Sequence, residues 1–531
     1  MLDIGTISLI LLAAMLFLLA IGMPLGFASG ILAVLVLVLK FGPTLLFRSF
    51  GTGPMNILAQ RMYGLATDYV LISVPLFIFM ACLLERSGIA HDMYNSLNVW
   101  LSRTRGGIAI VTAIMAIIMA AMSGIIGGEV VLLGLIALPQ MLRLGYNQDL
   151  AVGTICASGS LGTMIPPSIV LIMYGLITDT SIKALFTAAF IPGFMLASFF
   201  IIYIFVRTRL RPDDAPLPEP DPNDPSVREK FILFGAVLLQ VIAPVMGILL
   251  LRGAFMHATG RNVAKSGAEA IPLVEPASLI WIAAIGVLAT ILLFTVINAP
   301  RRKMAWQMGK GLVAPLLVIV VVLGSIYGGV TGITEAAGMG VVAVLILSAI
   351  RGELSVAMVK DSLMRTFKST GTIIWVTFGA TALAGAYTIA GGPTYVANLI
   401  VGADLPTMSI IFVMMLIFLI LGALMDWVGI VLLVMPVFLP IVLRLPVEEI
   451  GYIGQIPKEF VAVWFGVVFC MNMQVSFLSP PFGPAAFYLK SVAPPEITLT
   501  DIFRGFMPFI IIQLIALSIL VIWPSLSTFL L

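Results

Sequence analysis

The feature that most limits how this chain can fold is a series of apolar segments, each close to the length that spans a membrane. A helix needs about 20 predominantly apolar residues to cross the ~30 Å hydrocarbon core of a bilayer. Charged residues make up only 10% of the chain, whereas soluble domains carry roughly 25%. The sequence therefore predicts an all-α, multi-pass membrane protein surrounded by the lipid bilayer. The predicted spans lie near residues 7–22, 108–122, 181–206, 231–251, 279–297, 312–326, 408–424 and 506–522.

Basic residues gather in four segments between the apolar runs. Lysine and arginine in short loops mark the cytoplasmic side, so we expect these four segments to share one side of the membrane. They lie at 101–106, 207–211, 301–303 and 351–365. Two spans separate the second segment from the third, and residues 228–305 are therefore interpreted as an inserted helical hairpin. The Pro- and Asp-rich stretch 211–227 is predicted to be a mobile cytoplasmic loop.

Two Pro-Pro breaks interrupt apolar sequence at corresponding places in two halves of the chain. They lie in 157–175 and 472–488, and each follows residues rich in Ser. Pro-Pro ends a helix, and irregular backbone at membrane depth is costly unless it faces protein or a watery cavity. The matched pair therefore predicts a binding site near the membrane midplane, where freed carbonyls can bind sodium and half-helix N-termini can face an anion. Ordinary kinks without a ligand, packed through small residues, are the alternative.

Further polar residues lie in apolar surroundings. Ser123 and Gly124 precede a predicted helix break and are candidates to complete the first ion site. Thr331 and Thr334 are candidates in the second half, as is the stretch 377–381. Because an acid in the first helical turn suits the helix dipole, Thr334 and the glutamate after it are equally well explained as a helix start.

Acidic residues inside a membrane are expensive and point to function. Asp426 follows a long apolar run and is the leading candidate for the transport pathway, and Glu129 is a second one. A position at the membrane surface is the alternative for both. Lys490 follows the second break, where it is expected to reach toward the interface or to help hold an anionic substrate.

The sequence argues against catalysis and against nucleotide hydrolysis. Its two histidines, His91 and His257, are isolated, and its three cysteines are far apart in apolar sequence, so we assign no catalytic set, metal cluster or cofactor. No Gly-x-x-x-x-Gly-Lys-Ser/Thr phosphate loop is present, so the sequence offers no site for ATP. We expect no nucleic-acid partner.

Taken in order, several motifs resemble the large membrane subunit of tripartite ATP-independent periplasmic (TRAP) transporters. In the first half they are Ser-Val-Pro-Leu-Phe-Ile-Phe from 73, Ser-Gly-Ile-Ala from 87, Arg-Gly-Gly from 105, Ser-Gly at 123, Gly-Tyr at 145, Gly-Thr-Met-Ile-Pro-Pro-Ser from 162 and Ser-Ile-Lys-Ala-Leu-Phe from 181. In the second half they are Thr-Gly-Ile-Thr-Glu-Ala-Ala from 331, Gly-Ala-Leu-Met-Asp from 422, the prolines at 436 and 440, Ser-Pro-Pro-Phe-Gly from 479 and Arg-Gly-Phe-Met-Pro-Phe from 504. The resemblance covers most of the chain outside 210–310.

The resemblance implies an elevator-type secondary transporter with two re-entrant helical hairpins, in the bacterial inner membrane. It further implies sodium as the coupling ion, bound beside the hairpin tips, and an organic acid (carboxylate) as substrate. The implied partners are a small four-helix membrane subunit and a periplasmic substrate-binding protein. The residues predicted at the tip of hairpin 1 are Ser158, Gly159, Ser160, Gly162, Thr163, Pro166, Pro167 and Ser168, and those at the tip of hairpin 2 are Ser476, Ser479, Pro480, Pro481 and Gly483.

The expected organisation is two pseudo-repeated halves with an insertion between them. Residues 1–210 would form the first repeat with hairpin 1 at about 150–176, residues 211–310 the linker and inserted hairpin, and residues 311–531 the second repeat with hairpin 2 at about 465–490. The insertion is a departure from shorter members, and so is the stretch 123–129, where many members are rich in hydroxyl residues. No extra four-helix block marks a fused small subunit.

Three other classes remain as alternatives. The first is an ion-coupled anion carrier with re-entrant hairpins that needs no binding protein, which a neighbouring gene for a secreted binding protein would argue against. The second is a membrane-embedded enzyme, which usually needs a convergent set of His, Asp or Glu residues. The third is a channel, which two pseudo-repeated hairpins disfavour because they are typical of alternating access.

Overall fold

The chain forms a helical membrane protein, as predicted. The computed structural model describes residues 2–43, 45, 53–101, 103–124, 127–218, 225–259, 263–266, 269–272, 276–402, 405–423, 425–481 and 483–531. The helices in the first half are α1 (Ile4–Ala20), α2 (Leu25–Phe41), α3 (Pro54–Ala66), α4 (Ser73–Arg86), α5 (Ile89–Leu101), α6 (Gly107–Ser123), α7 (Gly128–Arg143), α8 (Gln148–Ser160), α9 (Ile169–Thr178) and α10 (Ile182–Leu210). Then come α11 (Val227–Ala258), the strands β1 (Val263–Ser266) and β2 (Glu269–Pro272), and α12 (Pro276–Thr295). The second half contains α13 (Ala299–Tyr327), α14 (Ile333–Ile350), α15 (Val356–Ala390), α16 (Gly392–Val401), α17 (Thr407–Gly422), α18 (Trp427–Val442), α19 (Val461–Leu478), α20 (Pro484–Lys490), α21 (Leu499–Ile522) and α22 (Ser525–Thr528).

Eight helical segments of the described chain are long and apolar enough to cross a membrane. Their ends follow local chemistry. The hydroxyl of Ser181 accepts a hydrogen bond from the Ala184 N–H at the start of α10, and Thr498 and Asp501 form a reciprocal capping box at the start of α21. Such side chains satisfy backbone N–H groups that a helix leaves without an internal partner.

We divide the helices into two groups, which contact each other where α5 meets α6 and where α18 meets α15 and α16. The peripheral group contains α1–α5 and α13–α16, in which α2 packs along α15 and α4 packs against α14. The hairpin group contains α6–α10 and α17–α21, in which α9 packs against α18 and α19, and α21 packs against α8. The two halves of the sequence are therefore interleaved in both groups.

Within the hairpin group, the two halves contribute elements in the same order. Each half supplies an apolar helix (α6 or α17), a break, and a helix with internal proline (α7 or α18). Each then supplies two helices separated by a Pro-Pro segment, α8–α9 or α19–α20, and a long helix with one internal proline, α10 or α21. This order agrees with the predicted pseudo-repeat.

The insertion packs against the peripheral group through α13. Leu233 and Val237 of α11 are buried with Ala305 of α13, and Trp100 of α5 packs against this cluster. The loop between α11 and α12 contains a short antiparallel β-hairpin in which Ser266 pairs with Glu269. The predicted linker 211–227 lies partly outside the described residues, at 219–224.

The basic segments lie in the end turns of helices more often than in loops. Arg207, Arg301 and Arg365 fall inside α10, α13 and α15. These helices extend beyond their apolar cores because acidic partners compensate the charges, as Asp214 does for Arg207 at 2.8 Å. Beyond the end of α14, a hydrogen bond to Glu353 is the main cause of the raised pKa of Arg351.

Candidate ion and substrate site

The tip of hairpin 1 is a buried, hydroxyl-rich break. Its helix α8 ends at Ser160, one 3-10 turn spans Leu161–Thr163, and α9 begins after Ser168. Every residue from 158 to 168 is buried. The Ser168 hydroxyl donates to the Thr163 carbonyl at 2.5 Å and accepts from the Leu171 N–H at 3.4 Å. The Pro166–Pro167 peptide bond is cis, as is Pro480–Pro481.

The hydroxyl groups of this tip differ in their hydrogen bonding. Ser160 donates to the Ala157 carbonyl at 2.8 Å, and Thr163 donates to the Ser160 carbonyl at 3.1 Å. The buried Ser158 hydroxyl has no hydrogen-bond partner among the described residues. Partnerless buried hydroxyls also occur away from the tip, at Ser348 and Ser362 for example, so this feature alone does not identify an ion site.

The first tip lies directly against the break between α6 and α7. Gly124 ends α6 with φ +59°, and a Cβ there would overlap the Pro167 carbonyl oxygen. The Gly124 carbonyl in turn accepts the Ile169 N–H at 3.3 Å. Only glycine fits this contact, so the broken helix and the hairpin tip are held backbone to backbone.

Glu129, in the first turn of α7, is the most unusual residue near this tip. Its side chain is 3% exposed, Ser123 contacts its Oε1 atom, and its Oε2 atom has no partner among the described residues. A Cβ added to Gly162 would lie 3.0 Å from both carboxylate oxygens. The dipole of α7 contributes only about 0.3–1 kcal/mol to a carboxylate there, whereas burying an unpaired ion costs several kcal/mol. The ionised form of Glu129 therefore requires a further partner, which is either a proton that neutralises it or a cation.

The first arm of hairpin 2 also contacts the first tip. In α19, the Gln474 side-chain amide donates to the Thr163 hydroxyl, and the Cys470 thiol donates to the Thr163 carbonyl at 3.2 Å. We did not predict Gln474 or Cys470 as site residues. An amide inside an otherwise apolar helix was the available signal for Gln474, as it was for Asn472, whose Nδ2 donates to the Met415 carbonyl at 3.0 Å.

The tip of hairpin 2 is more open than the first tip. The Ser479 hydroxyl donates to the Val475 carbonyl at 2.8 Å, and the Gly483 N–H donates to the Ser479 carbonyl at 2.9 Å. Pro480 and Pro481 are exposed, in contrast to the buried prolines of the first tip.

A second helix break, between α17 and α18, lies beside this hairpin. A Cβ added to Gly422, the last residue of α17, would overlap the Ser476 side chain. Asp426 precedes α18 and accepts the Trp427 N–H at 2.8 Å. Gly422, Asp426 and Ser476 line one small pocket. The pairing of a hairpin with a broken helix thus occurs in both halves.

The two hairpins are close to each other. Tyr488 of α20 lies against the first helix break, since a Cβ at Gly127 would be 3.0 Å from its ring. The Cys156 thiol of α8 donates to the Ala485 carbonyl of α20 at 3.6 Å. The hairpin tips and both helix breaks therefore form one continuous region.

Other predicted residues lie outside this region. Thr331 and Thr334 lie at the connection of α13 and α14, where the Thr334 hydroxyl donates to the Tyr69 carbonyl at 3.3 Å. Thr377 in α15 donates to the Ile373 carbonyl at 2.6 Å. Lys490 donates to the Ile497 carbonyl at 2.6 Å.

Comparison with known proteins agrees with this arrangement. A family model described as the DctM component of the tripartite ATP-independent periplasmic transporter matches residues 12–526. The chain is 24% identical over 479 residues to the C4-dicarboxylate TRAP transporter large permease protein DctM of Pseudomonas aeruginosa, with 90% of each chain covered. It is 24% identical over 528 residues to the ectoine TRAP transporter large permease protein TeaC of Halomonas elongata, with 98% of each chain covered.

A third relative is the isethionate TRAP transporter permease protein DctMQ of Oleidesulfovibrio alaskensis, 23% identical over 512 residues. The match covers 96% of this chain and 64% of that longer protein. Since the family model spans nearly all of the sequence, the chain belongs to the DctM family of TRAP transporters and is a multi-pass large permease subunit.

Proposed function

We propose that this chain imports an organic acid together with sodium ions, at a site formed by the two hairpin tips and the two helix breaks. The observation that carries the proposal is the paired geometry. Gly124 lies against Pro167 in one half and Gly422 against Ser476 in the other. Each pair brings helix ends, with carbonyls that have no partner within the helix, next to serine and threonine hydroxyls. Such a set of oxygens suits sodium without a carboxylate in every site.

Two features support an organic anion as substrate. The N-termini of α9 and α20 follow the two breaks, and helix N-termini favour negative charge. The relatives named above transport C4-dicarboxylates, ectoine and isethionate according to their names, so we propose a small carboxylate, sulfonate or zwitterionic acid. The proposed partners are a separate small four-helix membrane subunit and a periplasmic binding protein, in the bacterial inner membrane.

We include an elevator mechanism in the proposal because both halves of the chain contribute matching elements to the hairpin group. In this proposal the hairpin group carries ion and substrate across the membrane, and the peripheral group stays fixed. The proposed domains are residues 1–210, the insertion 211–310 and residues 311–531, and the first and third each contribute helices to both groups. Contacts such as Gln474 with Thr163 would make both hairpins move as one body.

Transport in proteoliposomes tests the proposal. The chain would be reconstituted with its small subunit and binding protein, and uptake of a labelled C4-dicarboxylate, ectoine or isethionate would be measured under an inward sodium gradient. We expect sodium-dependent uptake of one of these compounds. Ser160→Leu and Ser479→Leu should abolish it by filling the tips. Ser198→Leu is the matched control, because Ser198 is an exposed serine of α10 that only donates to its own helix, at 2.7 Å.

Three results would count against the proposal. Equal uptake under a potassium gradient would contradict sodium coupling, and uptake that does not need the binding protein would favour a carrier of the other class. Unchanged uptake in both Leu variants would place the ion sites away from the tips.

A further inference from the structure

We propose that Glu129 is a sodium ligand, and that it forms an anionic ion site with Ser123 and the hairpin-1 backbone at Gly162. This inference rests on the proposed sodium coupling and adds to it a carboxylate that the family resemblance does not supply. The sites predicted from the sequence contain hydroxyls and backbone carbonyls. The structure points to a negative charge at one of them.

The charge of Glu129 lacks a compensating cation. The side chain is buried and its Oε2 atom is without a partner in the described chain. Glu85 of α4 approaches the start of α7, with its Oε2 atom 3.5 Å from where a Cβ on Gly128 would be. Arg365 pairs with Glu85 at 3.5 Å and with Asp361 at 3.2 Å. This arginine is therefore engaged with other carboxylates.

The hydrogen-bonding capacity of Ser123 also leaves room for a cation. Its hydroxyl oxygen lies 3.0 Å from the Met119 carbonyl and also contacts Glu129 Oε1. A hydroxyl has one proton, and neither a carbonyl nor a carboxylate can donate, so Ser123 can donate to only one of these two oxygens at a time. A proton on Glu129 would satisfy Oε1 and leave Oε2 without a partner. A cation can be bound by both carboxylate oxygens and the hydroxyl.

The surrounding backbone completes the proposed site. The helix α6 ends at Ser123, so the carbonyls of its last turn lack partners inside the helix. At the tip of hairpin 1, the backbone of Gly162 faces both carboxylate oxygens of Glu129, and glycine has no side chain to separate them. An ion here would join the broken helix to the hairpin.

The test is sodium-dependent thermal unfolding of the purified full chain. The unfolding midpoint would be followed during a NaCl titration in which choline chloride keeps the ionic strength constant, because a ligand of the folded state raises stability with its concentration. We expect Glu129→Gln to raise the half-saturating sodium concentration about tenfold or more, the usual scale for losing a charged ligand. Glu129→Asp, which keeps the charge, should lie between Gln and the original.

Glu229→Gln is the matched control, since Glu229 is also a first-turn glutamate of an apolar helix, α11, but pairs with Arg301 in the insertion at 3.6 Å. It should not change the sodium response. Ser123→Ala provides a second test if Glu129→Gln does not fold, because it keeps the carboxylate and should still weaken sodium binding. An unaltered response in the Glu129 variants, or in Ser123→Ala as the substitute, would overturn this inference alone. A wild-type chain without a sodium response would overturn both this inference and the proposed sodium coupling.

Discussion

At the scale of single residues, the site depends on positions where a side chain is absent. Gly124 and Gly422 end the two broken helices, and a Cβ at either would overlap the neighbouring hairpin segment. Gly124 additionally has φ +59°, a conformation that glycine adopts at no steric cost. Close approach of the two backbones is what brings carbonyls and hydroxyls together there.

Replacing Gly422 by alanine should therefore destabilise the protein. The added methyl group would overlap Ser476 inside the hairpin group, and overpacking of this kind costs about 1–3 kcal/mol. We expect a lower unfolding midpoint in detergent and a loss of transport. Gly371→Ala in α15 is the control, because a Cβ there meets nothing within 4 Å and should be neutral or stabilising by about 0.5–1 kcal/mol. Equal midpoints for the two variants would contradict the close packing.

Single residues also show where prediction from sequence stops. The Pro-Pro breaks could be predicted because proline restricts its own backbone and lacks an N–H donor, so the sequence alone indicates where a helix ends. Gln474 and Thr163, in contrast, are 311 residues apart. No local sequence pattern indicates that their side chains form a hydrogen bond. The partnerless oxygen of Glu129 is likewise visible only once α6, α7 and α8 are packed together.

At the scale of elements, apolar runs predicted eight of the helices but not α4, α14, α15 or α19, and helix ends depend on tertiary partners. The predicted span 108–122 corresponds to α6, and 506–522 falls inside the longer α21. The helix α15 was not among the predicted spans because basic residues occupy its first turns. In the structure Arg365 is held there by Asp361 and by Glu85 of another helix, a contact that the sequence does not reveal.

The packing of α11 of the insertion against α13 can be tested by substitution. A Cβ at Gly309 of α13 would lie 2.5 Å from a methyl group of Val237 on α11. We expect Gly309→Val to push α11 away from α13, and hydrogen exchange at residues 227–237 to become faster. Transport should persist because the hairpin group does not include α11. Gly247→Val is the control, since a Cβ at Gly247 meets nothing within 4 Å. Unchanged exchange in Gly309→Val would show that α11 is held by other contacts.

At the scale of the whole molecule, the proposed mechanism requires the hairpin group to slide past the peripheral group. One contact between the groups joins α2 and α18, where a Cβ at Gly429 would be 2.5 Å from the Leu25 side chain. The same Cβ would lie 3.8 Å from the Leu25 Cγ atom, so the two Cβ atoms are at most one C–C bond, about 1.5 Å, farther apart, close to the ~3.5–4.5 Å that a disulfide requires. Such a bond would tie a moving element to a fixed one.

We therefore expect the double variant Leu25→Cys and Gly429→Cys to lose transport on oxidation and to regain it on reduction. The control pair is Gly134→Cys with Val492→Cys, which lies inside the hairpin group with a Cβ to methyl distance of 2.9 Å. Its oxidation should leave transport largely intact. Full transport by the oxidised Leu25–Gly429 pair, with the bond verified by mass spectrometry, would exclude sliding at this contact.

The interleaving of the two halves also has a consequence for biosynthesis. Hairpin 1 is made early, yet α9 packs against α18 and α19, and Gln474 is translated 311 residues after its partner Thr163. At about 5–20 residues per second, this delay is roughly 15–60 s. During that time the Ser- and Thr-rich tip of hairpin 1 lies in the membrane without α18 and α19, against which hairpin 1 packs in the folded protein. A ribosome that stalls in the second half would therefore release a chain whose first half is complete in sequence but still unassembled, which makes it a natural target for membrane chaperones and proteases.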